Sequence, residues 1–239
     1  MDEEEYNIQL NEDRLYRLAR TKRQIYNSAF FSAHMSLATD IEVLRIYWNQ
    51  TEDFLRGNME KRKEEREKSE NESQTREFWH LDRAIADELI QESKTFSQLI
   101  RGAFVITLFS FFESRFTEFA QLLAGDSSLT FDGVDKIKDY LVGIQKVDFP
   151  FGRSKAWYEL QAIRELRNCI VHNQSNLSRL TQTRKRRLES YIKGHPYISF
   201  RDDTLHIEEF FIDHILSVID DVCWSFLVSV SDRFVKETF

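Results

Sequence analysis

The chain has 239 residues, a formal net charge of −7 and 41% hydrophobic residues, which is enough for one large domain or two small ones with a real core. Only two Pro and seven Gly occur, which favours long helices, and the two Cys, Cys169 and Cys223, lie in apolar helical patterns as buried thiols without a disulfide framework. The acidic start lacks a secretory signal, and the longest apolar run, Ala103 to Phe112, is too short to span a bilayer. We therefore expect a soluble cytoplasmic protein without a membrane partner.

The first third of the chain predicts one long helix that becomes strongly charged. Residues 11–50 carry an apolar side that includes Ile41, Leu44 and Trp48. Residues 51–77 are dominated by Glu, Lys and Arg, with a polar break near 71–75. Alternating charges suit an exposed helical extension or a linker, and this segment is either a solvated helix or a docking arm.

A second long helix is predicted over residues 76–124, ending at Gly125. Its latter half is apolar nearly all round, which is typical of a helix in the middle of a bundle or at a subunit interface. Glu113 is the one acid inside the densest apolar part. Such a carboxylate needs a partner, and we keep two alternatives open: Arg167 or His172 further along the chain, or another arginine near Arg115.

The second half of the chain predicts shorter elements around a basic centre. We expect a short helix over 134–146, a helix capped by Ser154, a basic helix over 179–193 that ends at Gly194, and a last helix over 208–236. Two β-prone runs within 197–207 flank an Arg-Asp-Asp sequence and predict a small hairpin. The fold class is all-α, with a hairpin before the last helix and a single domain over 1–239.

The stretch from Trp157 to Ser175 carries the most informative residues. Leu160, Ile163, Leu166 and Ile170 recur at spacings of three and four and define one buried stripe of a helix. Within six residues of the same helix lie Arg167, Asn168 and His172, of which the last two are neighbours one turn apart. Each of these polar side chains is costly to bury without a partner.

The sequence Arg167-Asn168-Cys169-Ile170-Val171-His172 resembles the RNxxxH motif that marks HEPN domains, which are small all-α bundles. The resemblance covers about 20 residues closely and the rest of the chain by helix pattern only. A second Arg-x4-His match, Arg201 to His206, lacks the Asn and lies in the hairpin, so we interpret it as a chance match.

The resemblance implies a metal-independent endoribonuclease of bacterial toxin or abortive-infection type. Arg167 and His172 would be catalytic, Asn168 would orient them, Glu113 would support them, and the site would form where two motif helices meet across a homodimer. Metal-independent cleavage would leave 2′,3′-cyclic phosphate or 3′-phosphate ends, and no cofactor is expected. HEPN toxins paired with a nucleotidyltransferase antitoxin commonly have a Tyr two residues after the motif His; here Gln174 stands there. The kind of antitoxin or defence partner therefore stays open.

The charge distribution supports an RNA partner such as tRNA or mRNA. Between Arg153 and Lys193 there are ten basic and three acidic residues, so this segment has a net charge of +7 and the remainder has −14. A positive segment in an acidic protein can attract a polyanion locally, and the alternative is a solvated helix face. The residues that we expect to contact RNA are the basic ones on and after the motif helix: Arg164, Arg179, Arg184, Lys185, Arg186, Arg187 and Lys193.

Other chemistry finds little support in the sequence. No metal-ligand spacing, glycine-rich phosphate loop or Ser-His-Asp arrangement is present, and we interpret His206 and His214 as ordinary surface or packed residues. Two non-catalytic interpretations compete with the ribonuclease. In one the motif residues form a polar network in a dimeric binding module, and in the other the chain is a subunit of a larger defence complex that acts only when triggered.

Overall fold

The computed structural model describes residues 29–73, 79–148 and 154–236. Within these ranges the chain forms six α-helices, one 3₁₀ turn (Leu177–Arg179) and one two-stranded antiparallel sheet. The all-α fold class is therefore confirmed. The elements are α1 (Ala29–Ser73), α2 (Trp79–Ala124), α3 (Val134–Gly143), α4 (Lys155–Asn173), α5 (Gln182–Lys193), β1 (Ile198–Arg201), β2 (Thr204–Ile207) and α6 (Phe210–Lys236).

The predicted elements match these within a few residues. The predicted helix over 11–50 and the charged segment over 51–77 are one continuous helix from Ala29 to Ser73, and their remaining residues lie outside the described ranges. Helix α2 ends before Gly125, whose φ of 66° is the left-handed conformation that glycine adopts without strain. The basic helix is shorter than predicted, because Arg179 ends a 3₁₀ turn and the extended residues Leu180 and Thr181 separate it from Gln182, where the helix starts.

The chain divides into two compact units: the first comprises Met1–Ile41, Phe111–Trp157 and Ile219–Phe239, and the second comprises Glu42–Ser110 and Tyr158–Val218. This division does not test the prediction of a single domain over 1–239, which stays a prediction. The two units are described separately.

In the second unit, α1 and α2 run antiparallel and are cross-linked by ion pairs. Arg101 forms a two-pronged bond to Glu52, at 2.7 Å from Nε and 2.9 Å from Nη2, and both side chains are largely buried. Closer to the end of α1 and the start of α2, Arg66 Nε lies 3.0 Å from Asp87, and Arg83 lies 3.7 Å from Glu70. The planar guanidinium matches a carboxylate at both oxygens, so the buried pair also fixes the register of the two helices.

The hairpin of the second unit turns through Asp202 and Asp203, whose φ values are 50° and 58°. A two-residue turn of this kind needs left-handed conformations at both positions, which aspartate tolerates better than most residues. Its second strand is tied to α2, since Gln98 exchanges two hydrogen bonds with the backbone of Ile207 (2.8 and 3.1 Å) and Arg101 donates a third to the Ile207 carbonyl (3.0 Å).

The first unit is held by an aromatic cluster. Phe116 lies with its ring centroid 5.2 Å from Phe112, 5.3 Å from Phe226 and 6.1 Å from Trp157, and Phe119 lies 5.7 Å from Phe226. Large buried rings contribute the most apolar area per residue. The seven α6 residues that periodicity places inward are all buried, in both units: Phe211, Ile215, Val218, Ile219, Val222, Phe226 and Val230.

One described helix, α2, is long and apolar enough by composition to cross a membrane, with a mean hydropathy of 1.4 over its most apolar 18-residue window and a third of that window buried. The core helix of a soluble protein passes the same test.

Candidate functional site

Helix α4 begins at a side-chain cap and buries an apolar stripe. Ser154 Oγ accepts a hydrogen bond from the Trp157 amide at 3.3 Å, which satisfies one of the free donors of the first turn. Leu160, Ile163 and Leu166 are buried as predicted. The next buried residue is Cys169 and not Ile170, which is only half-buried. The buried stripe therefore turns slightly around the helix within the motif.

The motif residues lie in the last two turns of α4 in the second unit. Arg167 and Asn168 are half-buried, and His172 is exposed. Arg167 donates a hydrogen bond from Nη1 to Asn168 Oδ1 at 3.0 Å. Its Nε is buried and has no hydrogen-bond partner among the described residues. An unpaired buried donor on a cation costs free energy, and because this nitrogen is itself buried, an external acceptor reaches it only if the Arg167 side chain moves.

The chain leaves α4 through two strained residues that fix the end of the helix. Gln174 and Ser175 are both left-handed, with φ values of 55° and 62°, a conformation that costs a non-glycine residue roughly 1–2 kcal/mol. The Ser175 amide donates to the Cys169 carbonyl at 3.2 Å, and the Ser175 carbonyl accepts from the Leu205 amide at 2.9 Å. The turn after His172 is thus anchored on the hairpin, which holds the motif end of α4 in place.

The basic helix α5 lies antiparallel beside α4. Arg184, in its first turn, is 3.8 Å from Glu165, and Tyr191, in its last turn, donates to Glu159 at 3.0 Å. The start of α5 is consequently near the motif end of α4. The first turn of α5 has no acidic residue, although a helix N-terminus favours negative charge. Arg184 and Lys185 there oppose the helix dipole, and their ion pairs with Glu165 and Asp203 offset part of that cost.

The basic side chains differ in how they are paired. Lys185 lies 3.2 Å from Asp203, Arg179 donates to Gln174 at 2.8 Å, and Arg164 is half-buried on α4. The exposed residues with no ion pair or hydrogen bond to any other described side chain are Arg186, Arg187 and Lys193. These three cations are available to a ligand.

Glu113 belongs to the first unit and lies beside a recess of about 410 Å³ that Thr117, Phe131 and Ile137 also line. The neighbouring Arg115 pairs with Glu118 at 2.7 Å and with Asp40. The contact of Glu113 with Arg167 or His172 stays a prediction.

A second polar cluster, which the sequence does not predict, lies at the other end of α4. Glu159 Oε2 accepts from Tyr191 Oη at 3.0 Å and lies 3.1 Å from His214 Nε2. The ring of His195 contacts the ring of His214 edge to face, with centroids 4.5 Å apart. Burial lowers the pKa of His195, and the adjacent His214 lowers it further. Burial raises the pKa of Tyr191, and Glu159 raises it further.

We call Glu159, His195 and His214 the Glu-His-His cluster. Its members come from α4, from the loop after α5 and from α6, so no local spacing in the sequence predicts the cluster. The antiparallel pairing of α4 with α5 brings the loop after Gly194 to the first turns of α4, and only this tertiary contact could have revealed the cluster.

A cleft of about 770 Å³ in the second unit is lined by residues of α1, α2 and the hairpin. Arg201 and His206, the second Arg-x4-His match, line it, with Arg201 exposed and His206 half-buried. Burial lowers the pKa of His206, and the charge of Arg201 lowers it further. Many charges of both signs, including Glu60, Lys63 and Glu208, line this cleft, so it offers no single-sign field to a polyanion.

Comparison of the chain with models of protein families, with curated proteins and with solved structures finds no match.

Proposed function

We propose that this protein is a metal-independent endoribonuclease of HEPN type, which cleaves RNA by attack of the 2′-hydroxyl at a site formed across a homodimer. Its role in this proposal is toxic or antiviral, as in abortive infection, and it acts in the cytoplasm under the control of an antitoxin or a defence-system partner. The support for the family is the motif from Arg167 to His172.

The observation that carries the proposal is the state of the motif side chains. Arg167 is held by Asn168 at 3.0 Å while its Nε has no partner among the described residues, and His172, one turn beyond Asn168, is exposed. A polar network with a purely structural role would satisfy its buried donors. This network leaves the exposed imidazole of His172 open to a ligand, and the buried Nε of Arg167 can serve the same ligand once its side chain moves.

The chemistry requires one group that moves protons and one that stabilises negative charge. The imidazole of His172 would take the proton of the 2′-hydroxyl, whose oxygen attacks the phosphorus. The bond from phosphorus to the 5′-oxygen breaks, and a second proton donor protonates the leaving 5′-oxygen. Arg167 would hold the non-bridging oxygens as charge develops on them. The products are a 2′,3′-cyclic phosphate, which can open to a 3′-phosphate, and a 5′-hydroxyl.

A two-fold axis would supply the second proton-transfer group that the cleavage requires. Arg167 and His172 are about 140° apart around the helix and about 7.5 Å apart along it, so one motif helix does not present both to one phosphate easily. Pairing two motif helices about a two-fold axis provides two imidazoles, one as base and one as acid.

Exposed apolar side chains on α2 and α4 support this pairing. Helices α2 and α4 approach closely where Gly102 meets Ile170, since a Cβ at position 102 would lie 3.5 Å from Ile170 Cγ2. On the same two helices, Leu99 is 67% exposed and Val171 is 42% exposed. Exposed large apolar side chains beside a polar site are typical of surfaces that another protein covers.

The basic helix α5 would guide the RNA backbone to the motif. Arg186 and Arg187 have no partner among the described residues, and α5 starts near the motif end of α4. Contacts with phosphates are independent of base sequence, so we expect them to set affinity and not the cleavage position.

The test is incubation of purified protein with mixed tRNA and mRNA in EDTA, followed by denaturing gels and analysis of the RNA ends. We expect the wild type to cleave and both Arg167→Ala and His172→Ala to lose at least about 100-fold of the rate. His206→Ala, which removes the histidine of the second Arg-x4-His match, is the control and should cleave like the wild type. Sedimentation should give twice the chain mass of 28.6 kDa.

Substantial cleavage by Arg167→Ala or His172→Ala would contradict the proposal, and so would products that carry 5′-phosphates. If the wild type does not cleave but binds RNA as a dimer, the non-catalytic binding module replaces the ribonuclease.

A further inference from the structure

The Glu-His-His cluster has the ligand types of a zinc site. One ligand atom from each of Glu159, His195 and His214 can be chosen so that all three lie within 4.8 Å of one another. Two imidazoles and one carboxylate form a common three-ligand set for Zn²⁺ in proteins, with the fourth position left to water. The three side chains are half-buried, so an ion and a water molecule can reach them.

The distances require only a modest contraction to surround one ion. Zinc bonds of 2.0–2.2 Å at tetrahedral angles place ligand atoms about 3.4 Å apart. Glu159 Oε2 and His214 Nε2 already lie 3.1 Å apart. The other separations need to shorten by at most about 1.4 Å, which rotation of the histidine side chains can supply.

The cluster also contains the outer partner that holds a ligating carboxylate in place. Tyr191 Oη donates to Glu159 Oε2 at 3.0 Å, so the carboxylate is positioned by α5 before any ion arrives. Hydrogen bonds of this kind orient metal ligands and strengthen binding.

We propose that Glu159, His195 and His214 bind one zinc ion that joins α4, the loop after α5 and the start of α6. The proposal does not rest on the ribonuclease function. Glu159 and His172 are 13 residues apart on one helix, about 20 Å along its axis, so the ion is structural with respect to the motif and takes no part in RNA cleavage.

Binding has a structural signature at Tyr197. In the structure, His195 Nδ1 accepts a long hydrogen bond of 3.3 Å from the Tyr197 amide. A neutral imidazole that binds the ion through Nε2 carries a proton on Nδ1, and one that binds through Nδ1 has no lone pair left. In both cases the Tyr197 amide loses its acceptor, and its ¹⁵N–¹H signal should move.

The experiment uses the full-length chain, treated with a chelator that is then removed, in equilibrium dialysis against Zn²⁺. We expect one Zn²⁺ per chain, and with Co²⁺ in its place the visible absorption of a four-coordinate ion. Glu159→Gln, which keeps the size of the side chain, and His214→Ala should each weaken binding more than about 10-fold. His206→Ala retains the wild-type affinity, because His206 lies outside the cluster.

Selective ¹⁵N-tyrosine labelling provides the second readout, because the spectrum then contains signals from only the eight Tyr of the chain. Zinc should shift the Tyr197 signal in the wild type and in His206→Ala, and not in Glu159→Gln. Failure of the wild type to bind stoichiometric Zn²⁺ would overturn the proposal whether or not the variants fold. Binding that Glu159→Gln leaves unchanged, or a Tyr197 signal that does not move, would overturn it as well.

Discussion

The two ends of helix α4 carry polar groups in opposite states. At the start, Glu159 is bonded to Tyr191 and His214, and His195 accepts from the Tyr197 amide. At the end, Arg167 Nε has no partner among the described residues, His172 is exposed and the next residues are left-handed. The first arrangement stabilises packing between helices, whereas the second leaves a buried donor unpaired and the backbone strained, at a cost in stability. Satisfaction of hydrogen bonds thus distinguishes the two ends, although both are rich in charge.

Replacing Glu159 should give the largest change in stability. Glu159→Ala leaves the Tyr191 hydroxyl and the His214 ring without their acceptor, and we expect a loss of about 1–3 kcal/mol in the free energy of unfolding. His172→Ala removes an exposed ring and should change this free energy by no more than about 0.5 kcal/mol. Urea unfolding in EDTA measures both without a contribution from metal, and equal effects at the two positions would remove the contrast between the helix ends.

The strained turn at the motif end allows a gain in stability. Ser175 has a φ of 62°, and its side chain makes no hydrogen bond to another described residue. Ser175→Gly should relieve the strain and stabilise the protein by up to about 1 kcal/mol, while Ser175→Val should destabilise it, since a β-branched residue adopts this conformation poorly. A thermal melt that orders the two variants the other way would show that the turn stores no strain.

The available cations of α5 should affect RNA affinity weakly and through salt. Arg186→Ala and Arg187→Ala each remove one cation near the motif, and each should reduce the slope of log affinity against log salt concentration by about 1. Glu189→Gln, on the same helix, is the matched surface control and should leave the slope unchanged or increase it. Filter binding at several salt concentrations to 2′-O-methyl RNA, which has no free 2′-hydroxyl to attack, measures this, and identical slopes for all variants would mean that the RNA does not follow α5.

The helices could be predicted because their evidence is local. The spacing of apolar residues predicts the buried face of α6 from Phe211 to Val230, and two β-prone runs around Asp202 and Asp203 predict the hairpin. The polar run after the motif helix indicates its end, and α4 does end at Asn173.

The arrangement of the sites could be predicted only in part. The sequence locates Arg167, Asn168 and His172 on one helix, but it does not show which of them has an unused donor, because that depends on neighbours across the fold. The Glu-His-His cluster could not be predicted for the same reason. His195 is 36 residues after Glu159 and 19 residues before His214, and the three side chains meet only when α4, α5 and α6 pack. The change from Ile170 to Cys169 as the buried residue likewise follows from packing and not from periodicity.

The ion pairs between α1 and α2 have a consequence for how this protein can diverge. In each of the pairs Glu52–Arg101, Arg66–Asp87 and Glu70–Arg83 the two residue numbers add to 153, so the helices are matched in length from one pair to the next. An insertion of one or two turns in α1 alone would separate every pair beyond it, whereas the same insertion at the matching place in α2 would restore them. Homologues should therefore lengthen or shorten α1 and α2 in equal steps.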